Sequence, residues 1–212
     1  MSEIAELVVP PETADDSAKR RQIVQGAREV FLSKGFDAAS MMDIAKAAGV
    51  SKGTLYVYFK DKDELFAAIV QGECAMQEKG VFDFDHADRD VEKVLLRHGK
   101  AFVRAIADPG RLSSLRTVIA VAERMPDLGR KVYESGPAVG IAKLADYLRA
   151  QVKAGVLAIE DCEVAAAQFI ETCQATILKP MLFNFAPAPE PERVEHVVGM
   201  AVRAFLAAYR IR

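Results

Sequence analysis

With 212 residues, 51% of them apolar and 27% charged, the chain has the composition of a folded protein of one large domain or two small ones, which excludes disordered and collagenous classes. Three cysteines without a Cys-x-x-Cys motif cannot frame a disulfide scaffold, no apolar run approaches about 18 residues, and no basic segment precedes an apolar one at the N-terminus. The expectation is a cytoplasmic chain, nucleoid-associated if it binds DNA; its net charge of −2 hides a basic block at residues 17–62, with nine Lys and Arg against four acids, behind an acidic stretch at residues 1–16 that has no basic residue.

Alternating strand patterns are nearly absent, and Ala, Leu, Glu, Lys and Arg dominate, so the chain reads as all-α with about nine helices. Residues 1–16 read as a flexible acidic arm with Pro10-Pro11. A helix over Ser17–Lys34 follows, with Ile23, Val24, Ala27, Val30 and Phe31 on one stripe and Gly35 as its stop. Ser40 with Asp43 is a capping box that opens a helix ending at Gly49. Ser51 caps a short helix to Lys60, and Asp61 with Glu64 opens a longer one past Phe66, Ile69, Val70 and Met76. The turn Ala48-Gly49-Val50-Ser51 between two short helices is a helix-turn-helix pattern.

Beyond Gly80, residues 81–90 read as a loop. Helices are expected over Val91–Ala107, Pro109–Glu123, Pro126–Lys153, Glu160–Leu182 and Pro191–Arg210. Asp108-Pro109 is a cap followed by an N1 proline, and Gly136-Pro137 must break or kink the 126–153 segment. Ala186–Pro191 is a stiff connection.

The informative segment is Ser51–Lys60, SKGTLYVYFK. Leu55 and Phe59 point to the core, whereas Gly53, Tyr56 and Lys60 share another side, flanked by Lys52 and Thr54. A glycine inside a helix costs about 1 kcal/mol against alanine, so close approach to another surface is its reason. A DNA major groove, about 12 Å wide, admits one such helix. Thr54 and the Tyr56 ring could then meet a thymine methyl, while Lys52, Lys62 and the tyrosine hydroxyls reach phosphates. A solvent-facing helix with partly buried tyrosines is the competing reading of the segment taken alone.

The run MMDIAKAAGVSKGTLYVYFKDKDELFAAIV (residues 41–70), preceded by FLSKGFDAAS, resembles the DNA-binding domain of TetR/AcrR transcriptional regulators. Gly35-Phe36, Ser40, Asp43-Ile44-Ala45, Ala48-Gly49-Val50-Ser51, Gly53-Thr54-Leu55-Tyr56, Tyr58-Phe59, Lys62 and Glu64-Leu65 carry the resemblance. It implies a DNA-binding domain over residues 17–63 with its helix-turn-helix at about 40–59, and DNA contacts at Ser40, Lys52, Gly53, Thr54, Tyr56, Tyr58 and Lys62. Met41-Met42 departs from the family, and only an apolar contact is expected of Met42. Residues 113–183 resemble more loosely the C-terminal domain of AefR-like members.

By that resemblance residues 64–212 form an effector-binding and dimerisation domain. Its stripes, Ala166, Phe169, Ile170, Cys173 and Ile177 with Val194, Val197, Val198, Ala201 and Phe205, are assigned to a four-helix homodimer interface; an intramolecular core face is the alternative. The implied protein is a repressor, not an enzyme, released from palindromic double-stranded DNA by a small-molecule effector of unknown identity, with no membrane contact. No cofactor and no metal are expected. His86 among Asp83, Asp85, Asp88 and Asp90 lacks a second imidazole or thiolate, and Cys162 and Cys173 stand about 16 Å apart on one helix. Cys74 reads as a small core residue, and Arg104, Arg111, Arg116 and Arg124 as solvated or paired charge. Nucleotide, zinc-protease and hydrolase motifs are missing.

Overall fold

The computed structural model describes residues 14–211; the expected acidic arm falls mostly outside this range, and the side chains of residues 14–16 and 71–80, Cys74 and Met76 included, lie outside it as well. The described residues form eleven helices: α1 (Ala14–Ala38), α2 (Met41–Ala47), α3 (Lys52–Tyr58), α4 (Lys62–Val81), α5 (Val91–Ile106), α6 (Pro109–Val121), α7 (Pro126–Ser135), α8 (Pro137–Lys153), α9 (Cys162–Cys173), α10 (Leu178–Leu182) and α11 (Pro191–Tyr209). No extended strand occurs among the described residues; a lone bridge joins Leu157 to Arg210. The chain divides into two compact units, Met1–Ile69 and Val70–Arg212, with the boundary inside α4.

The first unit is built on the predicted stripe. Ile23, Ala27, Val30 and Phe31 of α1 are buried with Phe36, Ile44, Leu55, Phe59, Leu65 and Phe66. Phe31, Phe36 and Phe66 meet pairwise at ring-centroid distances of 5.2 to 5.5 Å, the edge and tilted geometries that aromatic quadrupoles favour. Gly35, at φ 76°, ends regular α1 geometry where the sequence placed the stop, and one more turn follows to Ala38. A side chain at Gly26 would stand 2.6 Å from the Ala48 backbone nitrogen, so α1 and α2 touch at a point where only glycine fits.

The second unit buries α5, α8, α9 and α11 against one another around Leu95, Leu144, Tyr147, Leu148, Phe169 and Val198. Gly136-Pro137 separates α7 from α8. The expected single helix over residues 160–182 is instead α9 and α10, broken at Thr176, a β-branched residue at φ 62°. The Thr176 hydroxyl donates to Ala175 O and accepts from the Arg193 guanidinium, which secures the break.

The apolar stripes assigned to a dimer interface are corrected by the burial. Ala166, Phe169, Cys173, Ile177, Val194, Val197, Val198, Ala201 and Phe205 are all buried within the chain's own core, and Ile170 is partly buried against it. Cys173, walled in by apolar neighbours, has its thiol pushed up to about 12, which leaves it unreactive. Buried Cys162 is shifted upward by the same desolvation.

Candidate nucleic-acid interface

The helix-turn-helix is assembled from its caps. The Ser40 hydroxyl accepts from Asp43 N (3.1 Å) and donates to Asp43 Oδ2 (2.7 Å), and Asp43 Oδ2 accepts from Ser40 N, a closed capping box at the start of α2. Lys34 bonds Asp43 Oδ1 at 2.7 Å and ties α1 to the same cap. That ammonium first, and the Ser40 hydroxyl and amide after it, hold the Asp43 carboxyl at about 2. Ser40 is therefore a cap whose hydrogen is already engaged.

The end of α2 is a Schellman turn, with Val50 N donating to Ala45 O and Gly49 N to Lys46 O. Gly49 supplies the required positive φ of 63°. From α1, Gln22 Nε2 donates to Ala48 O at 2.7 Å, which fixes the turn. Ser51 then caps α3 by accepting from Thr54 N at 3.0 Å, and the Ser51 and Thr54 hydroxyls pair at 2.8 Å. Leu55 and Phe59 anchor α3 to the core, with the Arg20 guanidinium over the Phe59 ring.

The outer face of α3 is open. Lys52, Gly53, Tyr56 and Val57 are exposed, Tyr56 by 45% and Val57 by 81%, with the Lys52 ammonium 5.8 Å from the Tyr56 ring centroid. Gly53 has no internal reason to be glycine, since an added Cβ would meet only Ser51 Oγ at an ordinary 3.7 Å. Thr54 and Tyr58 are half-buried, and Tyr58 has a partner inside the protein. Exposed Val57 and Met42 (62%) stand among the expected contacts; the sequence reading missed Val57, although its helical register opposite Leu55 was available.

Lys62 sits at the first residue of α4 with its ammonium donating to Phe36 O (3.0 Å), Asp37 O (3.2 Å) and Ala39 O (3.4 Å). It also lies 4.7 Å from the Phe36 ring centroid. An ammonium has three hydrogens, so this lysine is fully engaged by the turn between α1 and α2.

In the second unit, Arg116 is paired: it donates to Leu182 O, Met181 O and Asn184 Oδ1. Asp85 and Asp88 near His86 accept from backbone amides of their own loop, and Asp90 caps α5 by accepting from Lys93 N. His98, buried on α5, bonds Val81 O through Nδ1 at 2.6 Å. The carbonyl can only accept, so Nδ1 carries the proton and Nε2 accepts from Arg97. Desolvation holds this imidazole below its usual range, with the Arg97 charge adding and the Val81 bond and Asp83 opposing. The Phe84 ring lies tilted against His98 with centroids 4.2 Å apart, and Tyr147 donates to Asp88 O, so the segment after α4 is fastened to α5 and α8.

A capped, outward-facing short helix behind a Schellman turn, within the basic block of residues 17–62 and followed along the chain by a larger helical unit, defines a helix-turn-helix DNA-binding regulator. Residues 23–69 match the family described as "Bacterial regulatory proteins, tetR family", and residues 93–211 match "AefR-like transcriptional repressor, C-terminal domain". The chain belongs to the TetR family of bacterial transcriptional regulators, with a C-terminal domain of the AefR-like type. Members of this family are regulators of transcription and not enzymes.

A TetR-family protein from Mesorhizobium loti is 30% identical in sequence with a TM-score of 0.86, covering 94% of this chain and all of its own (100%). The flavonoid-responsive regulator FrrA is also 30% identical, with a TM-score of 0.76, and covers 92% of this chain and 99% of its own. The HTH-type transcriptional repressor Rv1474c of Mycobacterium tuberculosis is 26% identical over 90% of this chain and 95% of its own length.

Proposed function

We propose that the protein is a homodimeric repressor that sets two copies of α3 in successive major grooves of a palindromic operator and leaves it when a small-molecule effector binds the unit after Ile69. The acidic arm (1–16), the DNA-binding domain (17–63) and the effector and dimerisation domain (64–212) keep those roles in this reading. The observation that carries it is the outer face of α3, bared at Lys52, Gly53 and Tyr56 while Leu55 and Phe59 fix the helix beneath. Lys52 and Tyr56 are assigned direct DNA contacts and Gly53 close backbone approach. Thr54 and Tyr58 contribute from the flanks, and Ser40 and Lys62 hold the frame on which α2 and α3 sit. The repressor sense follows the AefR-like family description and the mycobacterial relative.

Dimerisation is assigned to the faces of α9 and α11 that the core leaves uncovered. Met200, Ala204, Ala207, Ala208 and Ile211 follow helical spacing along α11 and just past its end, and Val164 is exposed on α9. An effector shifts the equilibrium only by binding the DNA-incompetent state better, with a coupling of about 1–3 kcal/mol. Helix α4 is the one element with residues in both units, and it carries the change. The site of action is the cytoplasm, on the nucleoid.

Mobility shift on a duplex selected from random sequence tests the reading. Binding should weaken steeply with salt, as phosphate neutralisation requires. Tyr56→Ala should cost about 1–3 kcal/mol on the selected duplex and little on random DNA. Salt-insensitive binding, or a chain that stays monomeric on DNA, would refute it.

A further inference from the structure

The two central positions on the outer ridge of α3 have no hydrogen-bonding side chain. At 3.6 residues per turn, Gly53 and Val57 each stand about 160° around the helix from buried Leu55. Val57 is 81% exposed, more than Leu32, Met42 or Tyr56 in the same unit, and a Cβ added at Gly53 would meet only Ser51 Oγ at an ordinary 3.7 Å, so no close packing inside the protein occupies this ridge. The neighbouring hydroxyl of Thr54 is engaged with Ser51. Exposed Lys46, Lys52 and Lys60 on the same unit match a polyanion rather than an apolar protein partner. An isopropyl group at the most advanced point of a groove-reading helix cannot accept or donate; it can recognise only an apolar group on a base edge. The major groove offers one, the C5-methyl of a pyrimidine.

We infer that Val57 is a specificity-determining residue that packs on the C5-methyl of a pyrimidine in each half-site, with the bare backbone of Gly53 letting α3 approach that base closely. The inference rests on the DNA-binding reading above. Thymine is the source in unmodified DNA, and 5-methylcytosine presents the same group.

The test uses the full-length protein and a duplex selected from a random library. Deoxyuridine replaces each thymine in turn, which removes only the methyl. Wild type should lose about fourfold in affinity at one thymine per half-site, the worth of one buried methyl-sized group. Val57→Ala should show almost no such penalty at that position, and its melting temperature should match wild type because the side chain touches solvent. In a second arm 5-methylcytosine replaces each cytosine: unchanged affinity assigns the methyl to thymine, and tighter binding assigns it to methylated cytosine. Methyl-insensitive affinity in both arms, or a deoxyuridine penalty retained in full by Val57→Ala, overturns the inference and leaves the DNA-binding reading standing. Failure to select any duplex overturns both.

Discussion

Lys62→Met separates two roles that the residue type alone cannot. The substitution keeps the aliphatic stem and removes the ammonium from Phe36 O, Asp37 O and Ala39 O. The bond to Asp37 O is exposed, and water replaces it at little cost. Those to Phe36 O and Ala39 O are part-buried, and each carbonyl left without a donor costs about 1 kcal/mol. Loss of the cation over the Phe36 ring adds about 0.5–1 kcal/mol. The expected loss is therefore about 2–3 kcal/mol of stability, read by urea unfolding followed by circular dichroism. Affinity for DNA should fall together with stability, while the slope of log affinity against log salt stays unchanged, because no phosphate contact has been removed. Unaltered stability with a slope shallower by about 1.8, about 0.9 for each of the two lysines of a dimer, would place Lys62 on a phosphate and refute the structural assignment.

Gly26→Ala should destabilise the first unit by about 1–3 kcal/mol, since its Cβ would sit 2.6 Å from backbone at Ala48; an unchanged unfolding midpoint would contradict the close contact. His98, held below the 6.5 usual for an imidazole, contributes stability that is complete above that pH and declines as pH falls, because the unfolded chain takes up the proton first. Denaturation across this range should show the decline in wild type and a flatter profile in His98→Gln; parallel profiles would remove His98 as the cause. Asp43, at about 2 in the fold against 3.8 unperturbed, contributes stability that is present above pH 3.8 and lost on acidification towards 2. Asp43→Asn should abolish that acid-limb slope, and a Lys34→Met variant should reduce it.

The caps were legible because their chemistry is local. Ser40 with Asp43, Ser51, the Gly49 turn and the Asp108-Pro109 start are each written in a few adjacent residues, and each is found as the sequence suggested. The break at Thr176 was not legible, because a β-branched residue at positive φ is held by Arg193, which lies a helix away in sequence. The split of the 160–182 segment, with the Gly136-Pro137 break, accounts for eleven helices where about nine were expected. Periodicity located the stripes of α9 and α11 but could not say whether they face the chain's own core or a second copy; only their burial did. At the site, the expectation of a phosphate contact at Lys62 comes from residue type and position, whereas its three carbonyl partners are joined to it only by the fold. The exposure of Val57, which stands between Tyr56 and Tyr58 in sequence, follows from its place about 160° from buried Leu55.

Hydroxyl-radical footprinting of the purified protein on its selected duplex tests the account most directly. Two copies of α3 in successive major grooves should leave two protected patches related by a two-fold axis, with centres about 34–36 Å apart along the duplex. A single asymmetric patch, or protection whose centres fall out of phase with the helical repeat, would contradict it.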